Sequence, residues 1–112
     1  MEIQKLSENI IFVTLSSYEP NISNELKELN DIVTQKSDCD IILDFSYIEL
    51  INSSNISNLL LLRGFAEENG RSLILCNVQS VTKCIFVVAG LAEIFNFCEN
   101  QEEALRAIKC VN

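Results

Sequence analysis

The sequence predicts a single α/β domain with a mostly parallel β-sheet, and three observations support this fold class. The chain has 112 residues, a length that is typical of one domain. Hydrophobic residues make up 48% of the chain and charged residues 21%, as in folded globular proteins. Apolar segments with strand character alternate with segments of helical periodicity, which predicts parallel strands joined by right-handed helical crossovers.

The N-terminal segment predicts two neighbouring strands followed by a turn. Ile10–Leu15 is apolar and rich in β-branched residues, which favours a strand. The residues before it, including Ile3 and Leu6, are expected to form a short partner strand. Ser16–Asn21 is rich in turn-forming residues and contains Pro20, the only proline of the chain.

A helix and the central strand are predicted next. Apolar residues three and four positions apart define one face of the helix, namely Ile22, Leu26, Leu29, Ile32 and Val33. Ile41–Phe45 is an apolar run, interrupted only by Asp44, between two polar stretches. Such a run predicts a buried strand in the centre of the sheet.

The second half of the chain continues the alternation. The polar stretch Asn52–Asn55 precedes a second helix, which is expected to end at Asn69–Gly70 because glycine readily adopts the left-handed conformation of helix ends. The residues of this helix expected to face inward are Ile56, Leu59, Leu60, Leu62, Phe65 and Ala66. The remaining predicted elements are a buried strand at Ser72–Cys76, a helix at Val81–Ala89, a short edge strand at Ile94–Phe97 and a last helix at Glu102–Val111.

Charge and composition argue against several functional classes. The net charge is −8 with only eight Lys and Arg, which disfavours nucleic acid or an anionic membrane as the partner, because both require clustered basic residues. The chain has no histidine, which excludes His-dependent catalytic triads. Neither a signal peptide nor an apolar run of the roughly 20 residues that span a bilayer is present, so we expect a soluble, cytoplasmic protein.

The five cysteines do not predict a metal site, because they are widely spaced and form no CxxC pair. Cys76 and Cys84 lie in apolar segments and are expected to be small core residues. A reactive thiol at Cys39 or Cys110 is left open, although neither has a set of cationic neighbours that would activate it. Glycine-rich phosphate-binding loops are absent as well. We therefore predict no metal, no cofactor and no enzyme activity.

Five consecutive segments carry a resemblance to a known family. IILDFS at Ile41–Ser46 is an apolar strand that ends in Asp and a small residue, and INSSN at Ile51–Asn55 occupies the place of an Asp-Ser-Ser-Gly or Asp-Ser-Thr-Gly motif. Then come a helix, a glycine stop and a strand at Ile56–Val78, a helix ending in Gly-Leu within Val81–Phe95, and EEAL at Glu102–Leu105. This ordered set resembles the STAS domain, the fold of anti-sigma-factor antagonists and of the cytosolic tails of sulfate transporters.

The resemblance implies both an architecture and a site. The implied fold is a small sheet of four or five strands with about four helices packed mainly on one side. By position, Ser53 matches the serine that a partner kinase phosphorylates in the anti-sigma antagonists; Ser54 matches its neighbour and is less favoured as the phosphorylated residue. Asn52, Ser53, Ser54 and Asn55 are the implied partner-binding residues, with Asn52 and Asn55 replacing the Asp and Gly of the family.

Helix chemistry supports two interpretations of these serines. A helix N-terminus has unpaired N–H groups and a positive partial charge, so a phosphate there is accepted without refolding the domain. Alternatively, Asn52, Ser53 or Ser54 is present only as the N-cap of the helix. Asp44, at the end of the central strand, is expected to hydrogen-bond the following loop and so to help place Ser53.

Two functional hypotheses follow from the resemblance. In the first, the chain is a regulatory protein that binds an anti-sigma factor or related serine kinase and is released by phosphorylation at Ser53. In the alternative, it is a non-phosphorylated assembly subunit of a lipid-transport, transporter or stressosome complex. A small-molecule ligand and the oligomeric state are left open.

Overall fold

The sheet is mixed and mostly parallel, as predicted. The computed structural model describes residues 1–16, 21–36 and 38–111, with side chains described up to residue 108. Within these residues the sheet has five strands, which are β1 (Glu2–Ser7), β2 (Ile10–Thr14), β3 (Asp40–Asp44), β4 (Leu73–Cys76) and β5 (Asn96–Cys98). The strands are neighbours in chain order. Only β1 and β2 are antiparallel, and β2 through β5 are parallel to one another.

Helices connect the parallel strands, and in the described part of the chain there are four of them. They are α1 (Asn21–Gln35), α2 (Ser53–Glu68), α3 (Ser80–Val88) and α4 (Gln101–Val111). The predicted alternation of strand and helix is therefore confirmed. Because parallel strands that are adjacent in chain order require crossovers of one hand, the three connecting helices lie on the same face of the sheet.

Each face of the sheet has its own apolar core. Successive strand residues point to opposite faces, so Ile41 and Leu43 face α1, α2 and α3, whereas Ile42 faces α4. Buried residues of the three-helix side include Leu26, Leu59 and Phe86. The α4 side contains Ile10, Ile42, Ile74, Cys76, Ala104 and Ile108. The expectation that the helices pack mainly on one side is confirmed.

Three details of the sequence-based expectation are wrong. Leu60 is exposed, because the next residue along a helix turns about 100° away from the buried Leu59. Cys84 is also exposed, since it lies on the opposite side of α3 from the buried Thr82 and Phe86. The last strand is Asn96–Cys98 rather than Ile94–Phe97, because these are the residues that pair with β4.

Two expectations fall on residues that are not described. The turn containing Pro20 lies largely in 17–20, and the side chain of Cys110 is among those not described.

Cys76 is buried, as expected. Burial, the negative charge of Asp44 and the nearby Cys98 raise the pKa of the Cys76 thiol to about 12, so this thiol stays protonated.

Candidate functional site

The start of α2 is fixed by a reciprocal pair of asparagines. Asn52 is the N-cap, and its side-chain oxygen accepts a hydrogen bond from the backbone N–H of Asn55 at 2.9 Å. In return, the side-chain oxygen of Asn55 accepts from the backbone N–H of Asn52, also at 2.9 Å. This is a capping box, which satisfies two backbone donors at the helix end. Of the three candidate caps, the structure therefore selects Asn52.

Ser53 and Ser54 are the first two residues of α2, and both are exposed. Neither hydroxyl has a hydrogen-bond partner within the described part of the chain. Because Asn52 supplies the cap, the side chains of both serines are accessible at the helix N-terminus without a role in holding the helix.

Asn55 lies inside the protein, whereas the sequence analysis placed it among the partner-binding residues. Its side chain is completely buried, so the expectation that it contributes to a partner-facing surface is wrong. The amide nitrogen donates to the hydroxyl of Ser23 in α1 at 3.0 Å. A polar side chain can be buried here because its hydrogen bonds are made inside the protein. Asn55 thus ties α2 to α1 from below the surface.

Asp44 accepts hydrogen bonds from three segments of the chain, at the edge of the sheet where the parallel strands have their C-terminal ends. The buried carboxylate accepts from the backbone N–H and hydroxyl of Ser46 at 3.0 and 3.1 Å. It also accepts from the hydroxyl of Thr14 at 3.2 Å and from the side-chain amide of Asn77 at 2.9 Å. The expected bond from Asp44 to the following loop is therefore present. Among the described residues, Asp44 forms no hydrogen bond with Ser53.

Asn77 is a residue that the sequence reading missed. It follows β4 directly and has a φ of 56°, in the left-handed region that asparagine tolerates better than most residues. This conformation accompanies the hydrogen bond from its amide to Asp44. The sequence does show an asparagine directly after a predicted buried strand. It does not show the hydrogen-bond partner, Asp44, which lies 33 positions away.

The segment that leads into Ser53 is also held by the start of α3. The side-chain amide of Gln79 donates to the carbonyl of Ser46 at 3.3 Å, and the hydroxyl of Thr82 donates to the carbonyl of Glu49 at 3.0 Å. Thr82 is completely buried. Residues 45–52, which we call the β3–α2 loop, are therefore anchored by β3 and by α3 before the chain reaches Ser53.

The carboxylate at the other end of β3 has a different environment. Asp40 is buried and pairs with the guanidinium of Arg71 at 3.0 Å, and it accepts from the backbone N–H of Ser72 at 2.8 Å. These contacts join β3 to the chain entering β4. Asp40 is thus a structural residue at the amino edge of the sheet, far from the start of α2.

A family comparison agrees with this architecture. The STAS domain model matches residues 3–104, which is nearly the whole chain. The chain belongs to the STAS domain family. Among curated proteins, none matches this chain by sequence.

Solved structures of STAS proteins share the fold at low sequence identity. The anti-sigma factor antagonist SpoIIAA in its unphosphorylated form is 16% identical, with a TM-score of 0.80 over 99% of this chain and 97% of that one. SpoIIAA from Bacillus in the phosphorylated form is also 16% identical, with a TM-score of 0.73 over 96% of this chain and 97% of that one.

Two further similar structures come from larger systems. A chain in the structure of the stressosome, described as a signal integration and transduction hub, is 18% identical with a TM-score of 0.76 over 98% of this chain and 97% of that one. The murine anion transporter Slc26a9 is 18% identical with a TM-score of 0.74; 96% of this chain matches 18% of that one. Among the described helices of the present chain, none has the length and apolar character needed to cross a membrane.

Proposed function

We propose that this STAS domain is a regulatory binding protein without catalysis of its own, which binds an anti-sigma factor or related serine kinase through the surface around Ser53. Phosphorylation of Ser53 releases the partner. The observation that carries this proposal is that Ser53 is exposed at the first position of α2 while Asn52 supplies the cap. Modification of the hydroxyl therefore leaves the helix end intact.

The chemistry of the helix start suits a phosphate. A phosphoserine carries about −1.5 to −2 charges at neutral pH and three strong acceptor oxygens. At Ser53 these oxygens lie beside backbone N–H groups of the first helical turn and the positive end of the helix dipole. The domain accepts the new charge locally, whereas a partner packed over the same turn must desolvate it. Binding weakens while the fold is preserved.

Ser54 is the less favoured acceptor. Like Ser53 it is exposed and begins the helix, but it matches the neighbour of the phosphorylated serine in the family pattern.

The family's Asp before the serine is Asn52 here, which retains the capping oxygen and removes the negative charge. SpoIIAA, whose structures include both phosphorylation states, supports a switch of this kind by its fold.

A second candidate function is an assembly subunit in which the serine is never modified. The similarity to a chain of the stressosome and to part of a transporter supports it. So does the use of Asn52 and Asn55, which stand at the family's Asp and Gly positions, as structural residues of the helix start. The two candidate functions differ in whether a negative charge at Ser53 weakens binding of the partner protein.

The test is a capture experiment from the native lysate with wild type, Ser53→Ala and Ser53→Asp, and with Gln35→Glu, which adds a charge at the exposed last residue of α1, as a control. We expect wild type, Ser53→Ala and Gln35→Glu to recover an ATP-binding serine kinase, and Ser53→Asp to recover at least about tenfold less. Incubation of the purified kinase with ATP and the wild-type chain is then expected to place a phosphate on the peptide containing Ser53, identified by mass spectrometry.

Other results would contradict the switch. Recovery of a transporter ATPase or permease equally by all four chains would favour the assembly subunit. Equal losses with Ser53→Asp and Gln35→Glu would show that added negative charge in general, rather than a charge at Ser53, weakens binding.

A further inference from the structure

An exposed apolar surface lies next to the start of α2. Leu50 is 65% exposed, Val81 58% and Val88 82%. Together with the neighbouring small and apolar residues they line one shallow depression on α3, and among the described residues no charged side chain lines it. We call this surface the α3 face; it comprises Leu50, Ser80, Val81, Cys84, Ile85, Val88 and Ala89.

The α3 face follows from the way α3 packs. Thr82 and Phe86 are completely buried, which fixes the rotation of the helix against the sheet. Val81, Cys84 and Val88 are spaced by three and four residues and so form one outward stripe. Single exposed apolar residues are common on protein surfaces, but a continuous apolar patch marks an interaction site.

The α3 face adjoins Ser53. Leu50 lies three positions before Ser53, a span of at most about 11 Å along an extended chain. The hydrogen bond from Thr82 to the carbonyl of Glu49 holds this part of the β3–α2 loop against the start of α3. A protein that covers Ser53 is therefore in reach of the α3 face without any rearrangement of the chain.

Charge identifies the kind of occupant. Glu49 directly precedes Leu50 in the α3 face. Its side chain is exposed and forms no ion pair among the described residues. The cation of α3, Lys83, lies over the ring of Phe97 at 5.4 Å instead. A second copy of this chain would add another net charge of −8, and like charges slow and weaken association.

We propose that the α3 face is the docking surface for the partner protein, which contacts it through apolar side chains flanked by Lys or Arg. This inference rests on the proposed function and names the part of the surface that supplies affinity. Apolar side chains of the partner cover Leu50, Val81 and Val88, and its basic residues lie near Glu49. Ser53, at the edge, supplies regulation, because a hydrated phosphate there keeps the partner away from Leu50.

The test uses charges that are compatible with the helix. Val81→Asp places an anion near the N-terminus of α3 and Val88→Lys a cation at its C-terminus, and both substitutions suit the helix dipole. Leu61→Lys is the control, because Leu61 is 65% exposed on α2 and is not part of the α3 face. Affinity for the purified partner from the capture experiment is measured by calorimetry, and folding by circular dichroism.

We expect Val81→Asp and Val88→Lys to bind at least about tenfold more weakly than wild type and Leu61→Lys to stay within about twofold. Wild-type association is expected to slow as salt is raised. Wild-type affinity in both α3 variants, with Ser53→Asp still impaired, would overturn the docking surface and leave the switch standing. Impaired α3 variants with normal Ser53→Asp would overturn the switch and leave the docking surface standing.

Two further results would also overturn the inference. Sedimentation of the wild-type chain is expected to show a monomer; a dimer that Val81→Asp dissociates would assign the α3 face to a second copy. A wild-type chain that recovers no protein would contradict both the proposed function and this inference.

Discussion

At the scale of single residues, the start of α2 separates the capping side chains from the exposed serine hydroxyls. Asn52 and Asn55 accept hydrogen bonds from each other's backbone N–H groups. The side chains of the two serines between them take no part in this cap. Ser53 is therefore open to modification in a way that an N-cap serine is not, because a phosphate on a cap residue would compete with the bond that begins the helix.

Substitution of the cap tests this division. Asn52→Ala removes the acceptor for the N–H of Asn55, so we expect the free energy of unfolding to fall by about 0.5–2 kcal/mol, measured by urea denaturation. Asn52→Asp keeps an acceptor and adds a charge that the helix dipole favours, so it should remain within about 0.5 kcal/mol of wild type. Equal stability of Asn52→Ala and wild type would show that the capping box contributes nothing measurable.

At the scale of elements, the β3–α2 loop is the part of the site that depends most on its neighbours. Its backbone is held by Gln79 and Thr82 from the start of α3, and its first residues by Asp44 at the end of β3. The loop therefore has a defined course, although its sequence is not that of a helix or strand. These hydrogen bonds fix the path of the chain that leads into Ser53.

Removal of the Asp44 carboxylate should loosen this arrangement. Asp44→Ala leaves the donors of Thr14, Ser46 and Asn77 without their shared acceptor. We expect a loss of about 2–4 kcal/mol in the free energy of unfolding and weaker partner binding in calorimetry. Asp31→Ala, at an exposed position of α1, is the control and should change stability by less than about 0.5 kcal/mol. An Asp44→Ala variant that matches wild type in both measurements would remove the supporting role of Asp44.

At the scale of the whole molecule, Glu25 joins the N-terminus, the chain after β2 and α1. Its carboxylate accepts from the N-terminal ammonium at 2.9 Å, and from the backbone N–H of Ser16 at 2.8 Å and the Ser16 hydroxyl. Burial raises the pKa of Glu25, but the hydrogen bonds from Ser16 and the ammonium outweigh burial, so the net pKa lies below its ordinary value of 4.5. The ionised form therefore stabilises the fold.

The sign of this shift predicts the pH dependence of stability. The contribution of Glu25 is fully present above its unfolded pKa and is lost as the pH falls through the lower folded value. We expect Glu25→Gln to be less stable than wild type at pH 7, with the difference in melting temperature shrinking below about pH 4.5. Glu28→Gln, exposed on the same helix, is the matched control for the loss of one carboxylate. A Glu25→Gln difference that is constant from pH 7 to pH 3 would contradict the assignment.

The order of strands and helices follows from the sequence alone, because each element is encoded by the periodicity of its own residues. Ile41–Phe45 is a short, largely apolar run between polar stretches, which indicates a buried strand, and Leu26 and Leu29 have the spacing of one helix face. The position of Ser53 at the start of α2 is likewise local, since it depends on a polar segment before an apolar helix. The family pattern is a sequence of such local signals.

Tertiary structure alone decided which polar residues support the site and which apolar residues remain outside. Asn55 resembles a surface residue in the sequence, yet it is buried, and the hydroxyl oxygen of Ser23, 32 positions away, accepts a hydrogen bond from its side-chain amide. Val88 resembles a core residue, yet it is exposed because Phe86 takes the inward position of α3. Both outcomes depend on which elements meet across the fold, and contacts between distant residues leave no periodic signal in the local sequence.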